Sequence, residues 1–338
     1  ATALIKKWFL GQDLPMPISG GDTADPAASG GKYSYGLIKG PLFEGSITAL
    51  DVNQGKAGTC YLIASMESVA YTNPSIIEAA FITNPNDTYG VKFYYGGETI
   101  YTTVNNQIPV GDDGKVIFSG NLERSLSGEA WVSLMEKAYV QANTQVNLKH
   151  DSDWSEEDGK YQNIYKFLEG GEAWPLSQIT GDKFNWWTYH NYQYEGDYNY
   201  LKSEKDAALI KDDIIAALEA GGIGYFGSFG NSYRTADGKF TTQEPQVGKG
   251  EIMGGHAHAL HSYNKEDDTF LFSNPWSESS SSDWYNTTFS IRLEDLWTSH
   301  FRADIAITTP GSTRKDFNFN ISTAASSVEG AALEDSTV

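Results

Sequence analysis

Apolar residues recur at a helical period through the first half of this chain and in strand-like runs through the second, and this segregation restricts the fold most. Tyr61, Leu62, Met66, Val69 and Ala70 return about every 3.6 residues. Gly58-Thr59 can open that helix, and Asn73-Pro74 stops it. A second stripe, Trp131, Leu134, Met135, Ala138, Tyr139 and Ala142, marks another long helix. A third is expected from Asp206 to Ala220, with Leu209, Ile210, Ile214, Ala217 and Leu218 inward and Gly221-Gly222 ending it. Segments 91–95 and 99–104 flank Gly96-Gly97 as a hairpin, and further strands are expected at 223–229, 256–263, 269–273, 287–293 and 301–308. Helices first and strands later make an α+β chain rather than alternating βαβ units.

Length allows one large two-lobed domain or two modest ones in 338 residues. The expected divisions are an extended arm at 1–32, a helical lobe at 33–182, a β-rich lobe at 183–308 and a loose tail at 309–338. No apolar run approaches the roughly 18–20 residues that cross a bilayer. The opening, with Lys6-Lys7, is too short and charged to be a signal core; without an initiator Met it reads as a trimmed start. Acidic side chains outnumber basic ones 44 to 24, for a net charge of −20. That balance argues against nucleic acid, which is held by Lys and Arg, and against an anionic membrane surface. It accommodates cationic partners or bound calcium, although solubility alone accounts for it. Compartment stays open, the missing Met and acidic surface leaning towards export. Asn86, Asn286 and Asn320 begin glycosylation sequons of little weight without a known host.

Cys60 is the only cysteine, so no intrachain disulfide forms. A lone cysteine is either a small buried hydrophobe or a thiol kept for chemistry. Here it follows Gln54-Gly-Lys-Ala-Gly-Thr59 and sits in the first turn of an expected helix, where open amides and the helix dipole favour a thiolate. Gly55 and Gly58 would let backbone approach a substrate. The Gln54 side-chain amide and the Cys60 backbone N–H can donate to a developing oxyanion.

A thiol nucleophile needs an imidazole, and that imidazole needs a partner to orient it. Three of the six histidines lie in Gly254-Gly-His256-Ala-His258-Ala-Leu-His261; on a strand His256 and His258 share a face and His261 points the other way. His-x-His also suits zinc, but no set of further ligands accompanies it nearby. Eighteen residues past His256 comes Asn274-Pro275-Trp276, in which Pro275 stiffens a turn.

Gln-Gly-x-x-Gly-x-Cys-Tyr, Gly-His-Ala and Asn-Pro-Trp occur in this order, joined by Ala130-Trp-Val-Ser-Leu-Met-Glu-Lys-Ala-Tyr139 and Ile179-Thr-Gly181. The set, spanning roughly 45–308, resembles the calpains and, more distantly, other papain-like cysteine peptidases. Thr59-Cys60-Tyr61 departs from it, since calpains usually carry Asp-Cys-Trp. The resemblance implies a papain-like two-lobed α+β fold, with the active site between a helix-rich N-terminal lobe and an antiparallel β-rich C-terminal lobe. It implies Cys60 as nucleophile, with Gly58 in the supporting loop and Gln54 at the oxyanion. His256 is implied as base (His258 the fallback), Asn274 as the orienting residue and Trp276 as the cover over the Asn–His bond. Protein or peptide substrates follow, while oligomeric state is left open. The chemistry needs no cofactor; Asp51 and Glu136 are the possible calcium ligands. Past Trp276 only Glu278 and Asp283 remain, too few for the usual six to eight oxygens, so calcium dependence is expected to be weak or absent. Two other readings share the scaffold: a transglutaminase-like acyl transferase, which generally orients its His with Asp, and a catalytically decayed binding or toxin-like module.

Overall fold

The computed structural model describes residues 5–7, 9–18, 33–148, 163–189, 204–228, 254–276, 288–298 and 303–313, with short pieces at 233–234, 240–241, 246–247 and 250–252. Most of the expected arm, the tail beyond 313, His150, His190 and His300 lie outside the described residues. So do Glu278, Asp283, Asn286 and Asn320.

Helix α1, Cys60–Thr72, is the centre of the molecule. Every residue from Tyr61 to Ala70 is buried, so it is a helix enclosed on all sides rather than one with a single apolar face. It ends where expected: the Asn73 amide still bonds to Val69, and Pro74 then opens the short α2, Ser75–Ala80, its fixed φ suiting a helix start. Helix α3, Trp131–Ala142, is likewise buried along its length. Helix α4, Trp174–Thr180, closes on Gly181 in the left-handed conformation that favours glycine.

The remaining helices are α5, Glu204–Glu219, and α6, Leu293–Thr298. The expected inward stripe of α5 needs one correction: Leu209 is 56% exposed. Ala207, Ile210 and Ile214 form the packed face at spacings of three and four, and Leu209 falls off it.

The first sheets are small. Strands β1, Tyr33–Leu37, and β5, Gln107–Gly111, pair antiparallel. β2, Phe81–Thr83, β3, Thr88–Tyr95, and β4, Glu98–Asn105, form a three-stranded sheet. Its β3–β4 turn is the expected Gly96-Gly97, with φ of 59° and 83°, the positive pair that a tight hairpin of matching twist requires.

The large sheet is built from β6, Asp182–Tyr189, β7, Gly224–Ser228, β12, Ala257–Asn264, β13, Thr269–Ser273, β14, Thr288–Ile291, and β15, Ala303–Thr313. These six strands are all antiparallel neighbours, in the order β14-β13-β12-β7-β15-β6. Two-residue strands β8, Tyr233–Arg234, β9, Phe240–Thr241, β10, Gln246–Val247, and β11, Gly250–Glu251, pair β8 with β9 and β10 with β11.

Two apolar clusters divide this architecture. One surrounds α1, α3 and α4 and takes in Tyr225 and Ala257 from the large sheet. The other lies on the sheet's opposite face, with Phe226, Leu260, Phe272 and Ile305 at its heart. The alternation of β7 and β12 residues between the two clusters is the period-two rule at work. Helix and antiparallel sheet therefore meet as an α+β fold, with α1 lying against β7 and β12.

Candidate active site

Cys60 is the first residue of α1 and stays half-buried at the mouth of a cleft of about 190 Å³. Cys60, Gly171, Trp186, Tyr225, His256 and Asp304 line that cleft, so it lies between the start of α1 and strands β6, β7 and β15 of the large sheet. Burial pushes the Cys60 thiol up, against hydrogen bonds from the backbone of Ala257, Tyr61 and Cys60 itself that favour the thiolate. The Ala257 contact puts the sulfur beside the residue that follows His256.

The loop before Cys60 is fixed by its neighbours. Gly55 packs on backbone: a Cβ there would lie 2.2 Å from the Phe118 carbonyl oxygen. Loop packing therefore requires a glycine at this position. Gly58 accepts from the Gly170 amide at 2.9 Å and donates to Glu169, which ties the loop to the opposite cleft wall. Gly171 in that wall lies under Tyr61, whose ring a Cβ would meet at 2.7 Å. Thr59 donates to Glu136 at 2.6 Å, so the hydroxyl that stands where calpains usually carry Asp satisfies a buried carboxyl.

His256 immediately precedes β12, its backbone amide and carbonyl both bonded to Ser228. Its Nε2 lies 2.9 Å from the Asn274 Oδ1. That oxygen only accepts, so Nε2 carries the proton and Nδ1 is left with a lone pair. The same Oδ1 also accepts from the Trp276 amide, and the Trp276 ring lies over His256 at 4.5 Å. Burial lowers the His256 pKa to about 4, against the Asn274 bond that raises it. Burial thus works against the charged form of both groups, opposed at Cys60 by the backbone hydrogen bonds and at His256 by Asn274.

His258 shares the His256 face, as alternation required, with ring centroids 5.0 Å apart. Its ring is enclosed by Phe226 and Phe289, and neither nitrogen has a hydrogen-bond partner. It packs the second core and does not line the cleft.

Gln54 is buried. Its backbone amide bonds to the Pro275 carbonyl at 2.7 Å, joining the pre-cysteine loop to the Asn-Pro-Trp turn. Its Nε2 donates one proton to the Ala57 carbonyl at 2.8 Å, leaving the second N–H, and Arg124 holds its backbone carbonyl at 2.7 Å.

Asp51 and Glu136 are not brought together. Asp51 caps a 3-10 turn, Ala49–Asp51, through bonds from Thr48. Glu136 is enclosed in the core and accepts from Thr59 and twice from Ser119. The carboxyl beside Asp51 is Glu129, pushed up to about 7 by burial and by the Asp51 charge. Sequence reasoning passed over Glu129 because it precedes α3 and carries no helical period. Among the described residues no three His, Cys, Asp or Glu side chains converge to hold a metal ion, and two carboxylates fall short of a calcium shell. Asp51 and Glu136 therefore do not share one calcium shell.

Residues 36–157 match the calpain family of cysteine proteases. A stretch of 133 residues is 32% identical to the calpain-type cysteine protease DEK1 of Zea mays, covering 38% of this chain and 6% of that protein. A stretch of 104 residues is 29% identical to the calpain-2 catalytic subunits of Rattus norvegicus and Homo sapiens, covering 29% of this chain and 14% of each. The matched region is thus a small part of those relatives. The family match contains Cys60 and stops before His256 and Asn274, whose place in the site rests on geometry.

Proposed function

We propose that this chain, whose residues 36–157 match the calpain family of cysteine proteases, is an endopeptidase that hydrolyses peptide bonds through an acyl-enzyme on Cys60. The observation that carries this reading is the His256–Asn274 bond at 2.9 Å, on a ring that lines one cleft with Cys60.

The Cys60 sulfur attacks the peptide carbonyl carbon while its proton passes to the free Nδ1 of His256. The carbonyl oxygen gains negative charge and receives hydrogen bonds from the Cys60 amide and the second Nε2–H of Gln54. The His256 imidazolium then gives its Nδ1 proton to the departing amine as the C–N bond breaks, leaving a thioester. Water, deprotonated by the same nitrogen, attacks the thioester and releases the acid and the thiol. Throughout, Asn274 accepts from Nε2–H and keeps the ring turned, and Trp276 shields that bond from water, which strengthens it.

No step draws on a metal, so turnover of a protein substrate is expected to persist in chelator. A digest of an unfolded protein, with and without calcium, tests this against a Cys60→Ala control. Loss of cleavage in Cys60→Ala with the fold intact supports the reading; cleavage by that variant at the parent rate removes it.

A further inference from the structure

The geometry points to a second polar relay, Glu67–Ser273–His261, that spans the boundary between α1 and the large sheet and sets the position of Asn274 and, through it, of His256.

Glu67 lies in the enclosed middle of α1 and is 5% exposed. Its Oε1 accepts from the Ser273 hydroxyl at 2.5 Å; Oε2 is buried with no hydrogen-bond partner. A carboxylate this enclosed with one hydrogen bond is costly, and burial pushes the Glu67 pKa up to about 8, against the Ser273 bond that lowers it. The same Ser273 oxygen lies 2.5 Å from His261 Nε2. Because the hydroxyl gives its one proton to Glu67, it accepts from Nε2–H of His261. His261 comes from the irregular point of β12, where the register shifts between Leu260 and Ser262, and its ring rests on Tyr71 of α1 at 4.2 Å. Three side chains from α1, β12 and β13 thus meet at one oxygen.

Ser273 ends β13 and directly precedes Asn274. On the other side of Asn274, the Pro275 carbonyl is held by the Gln54 amide. Asn274 is therefore suspended between two anchors, both reaching it from the side of the molecule that carries Cys60. An apolar trio would fill this space without the cost of desolvating three polar groups. What the polar trio adds is direction, since a hydroxyl bonded on both sides admits one setting. The Ser68 hydroxyl bonds separately to the Gly224 carbonyl at 2.6 Å, so α1 stays docked on the sheet when the relay is removed.

This inference rests on Cys60 being the nucleophile. Its test is peptide hydrolysis at pH 7 by the full chain carrying Glu67→Ala, Ser273→Ala, Glu67→Gln, the Ala/Ala double substitution, or Cys60→Ala. Displacing a catalytic group by an ångström costs up to about 100-fold, so Glu67→Ala and Ser273→Ala are expected to lower kcat about 10- to 100-fold with KM within about twofold. Gln has nearly the shape of Glu and keeps an oxygen that accepts the Ser273 proton, so Glu67→Gln is expected to retain kcat within about threefold. The double variant is expected to be no slower than the poorer single one, because both remove one relay. Should Glu67→Ala fail to fold, Ser273→Ala, which deletes a single hydroxyl, answers the question alone. A kcat for Ser273→Ala within about twofold of the parent overturns the relay, as does a Glu67→Gln as impaired as Glu67→Ala. An active Cys60→Ala defeats the peptidase reading itself, whereas an inactive Cys60→Ala beside a fully active Ser273→Ala defeats the relay alone.

Discussion

A methyl group at Gly55 would meet the backbone of Phe118, whereas one at Gly58 would meet the flexible Glu169 side chain at 3.3 Å. Gly55→Ala is therefore expected to cost about 1–3 kcal/mol and to displace the loop that carries Gln54, while Gly58→Ala stays within about 1 kcal/mol. Denaturant midpoints of the two variants check this; equal losses would mean the loop yields at Gly55. Both glycines were visible in the sequence, but which one touches backbone was not, because Phe118 approaches from far along the chain. The Gly-His-Ala and Asn-Pro-Trp segments were far more legible, since each is local and its chemistry belongs to the residue types. Glu129 was not: a carboxyl before a helix looks like surface until Asp51 is placed beside it. Thr59 likewise gained its meaning only when Glu136 was seen to need a donor.

Helices were easier to read than sheets because their period is written within a dozen residues. α1 and α3 announced themselves this way, and Gly96-Gly97 announced β3–β4. β1 finds its partner in the distant β5, and β6 joins the large sheet only against β15, far along the chain; neither pairing has a local signature. Lys137 shows the same limit within a helix. It lies on the enclosed α3, and its ammonium donates to the Asn105 carbonyl and side chain and to the Gln107 carbonyl. It thereby ties α3 to the β4–β5 connection. Lys137→Ala leaves these acceptors bare in a cavity and is expected to cost about 3 kcal/mol, while Leu209→Gln on the exposed face of α5 is expected to change stability by less than about 0.5 kcal/mol. Urea titrations of the two variants decide it, and a neutral Lys137→Ala would mean water serves the three acceptors.

Across the whole molecule, buried titratable groups make stability depend on pH from both sides. His256 and His261 have their pKa values lowered by burial to about 4 from 6.5. Their contribution is complete above 6.5 and is lost as pH falls through 4, on the order of 3 kcal/mol for each. Glu67 is raised from 4.5 to about 8, so its contribution is complete below 4.5 and is lost as pH rises through 8. Glu67→Gln is thus expected to gain stability relative to the parent progressively between pH 4.5 and 8, and a difference that stayed flat over that range would show a carboxylate ionised in the core. The site itself joins two halves of the chain: Cys60 starts a helix of the first apolar cluster, and His256 precedes β12, a strand that contributes to both clusters. That junction is the claim to test. The most direct measurement is mass spectrometry of the intact chain after exposure to a peptidyl epoxide in chelator. A single adduct on Cys60, formed at least about 100-fold more slowly in His256→Ala, is expected if the imidazole takes the thiol proton. No adduct on Cys60, or one formed equally fast without His256, would mean that sulfur and imidazole do not act together.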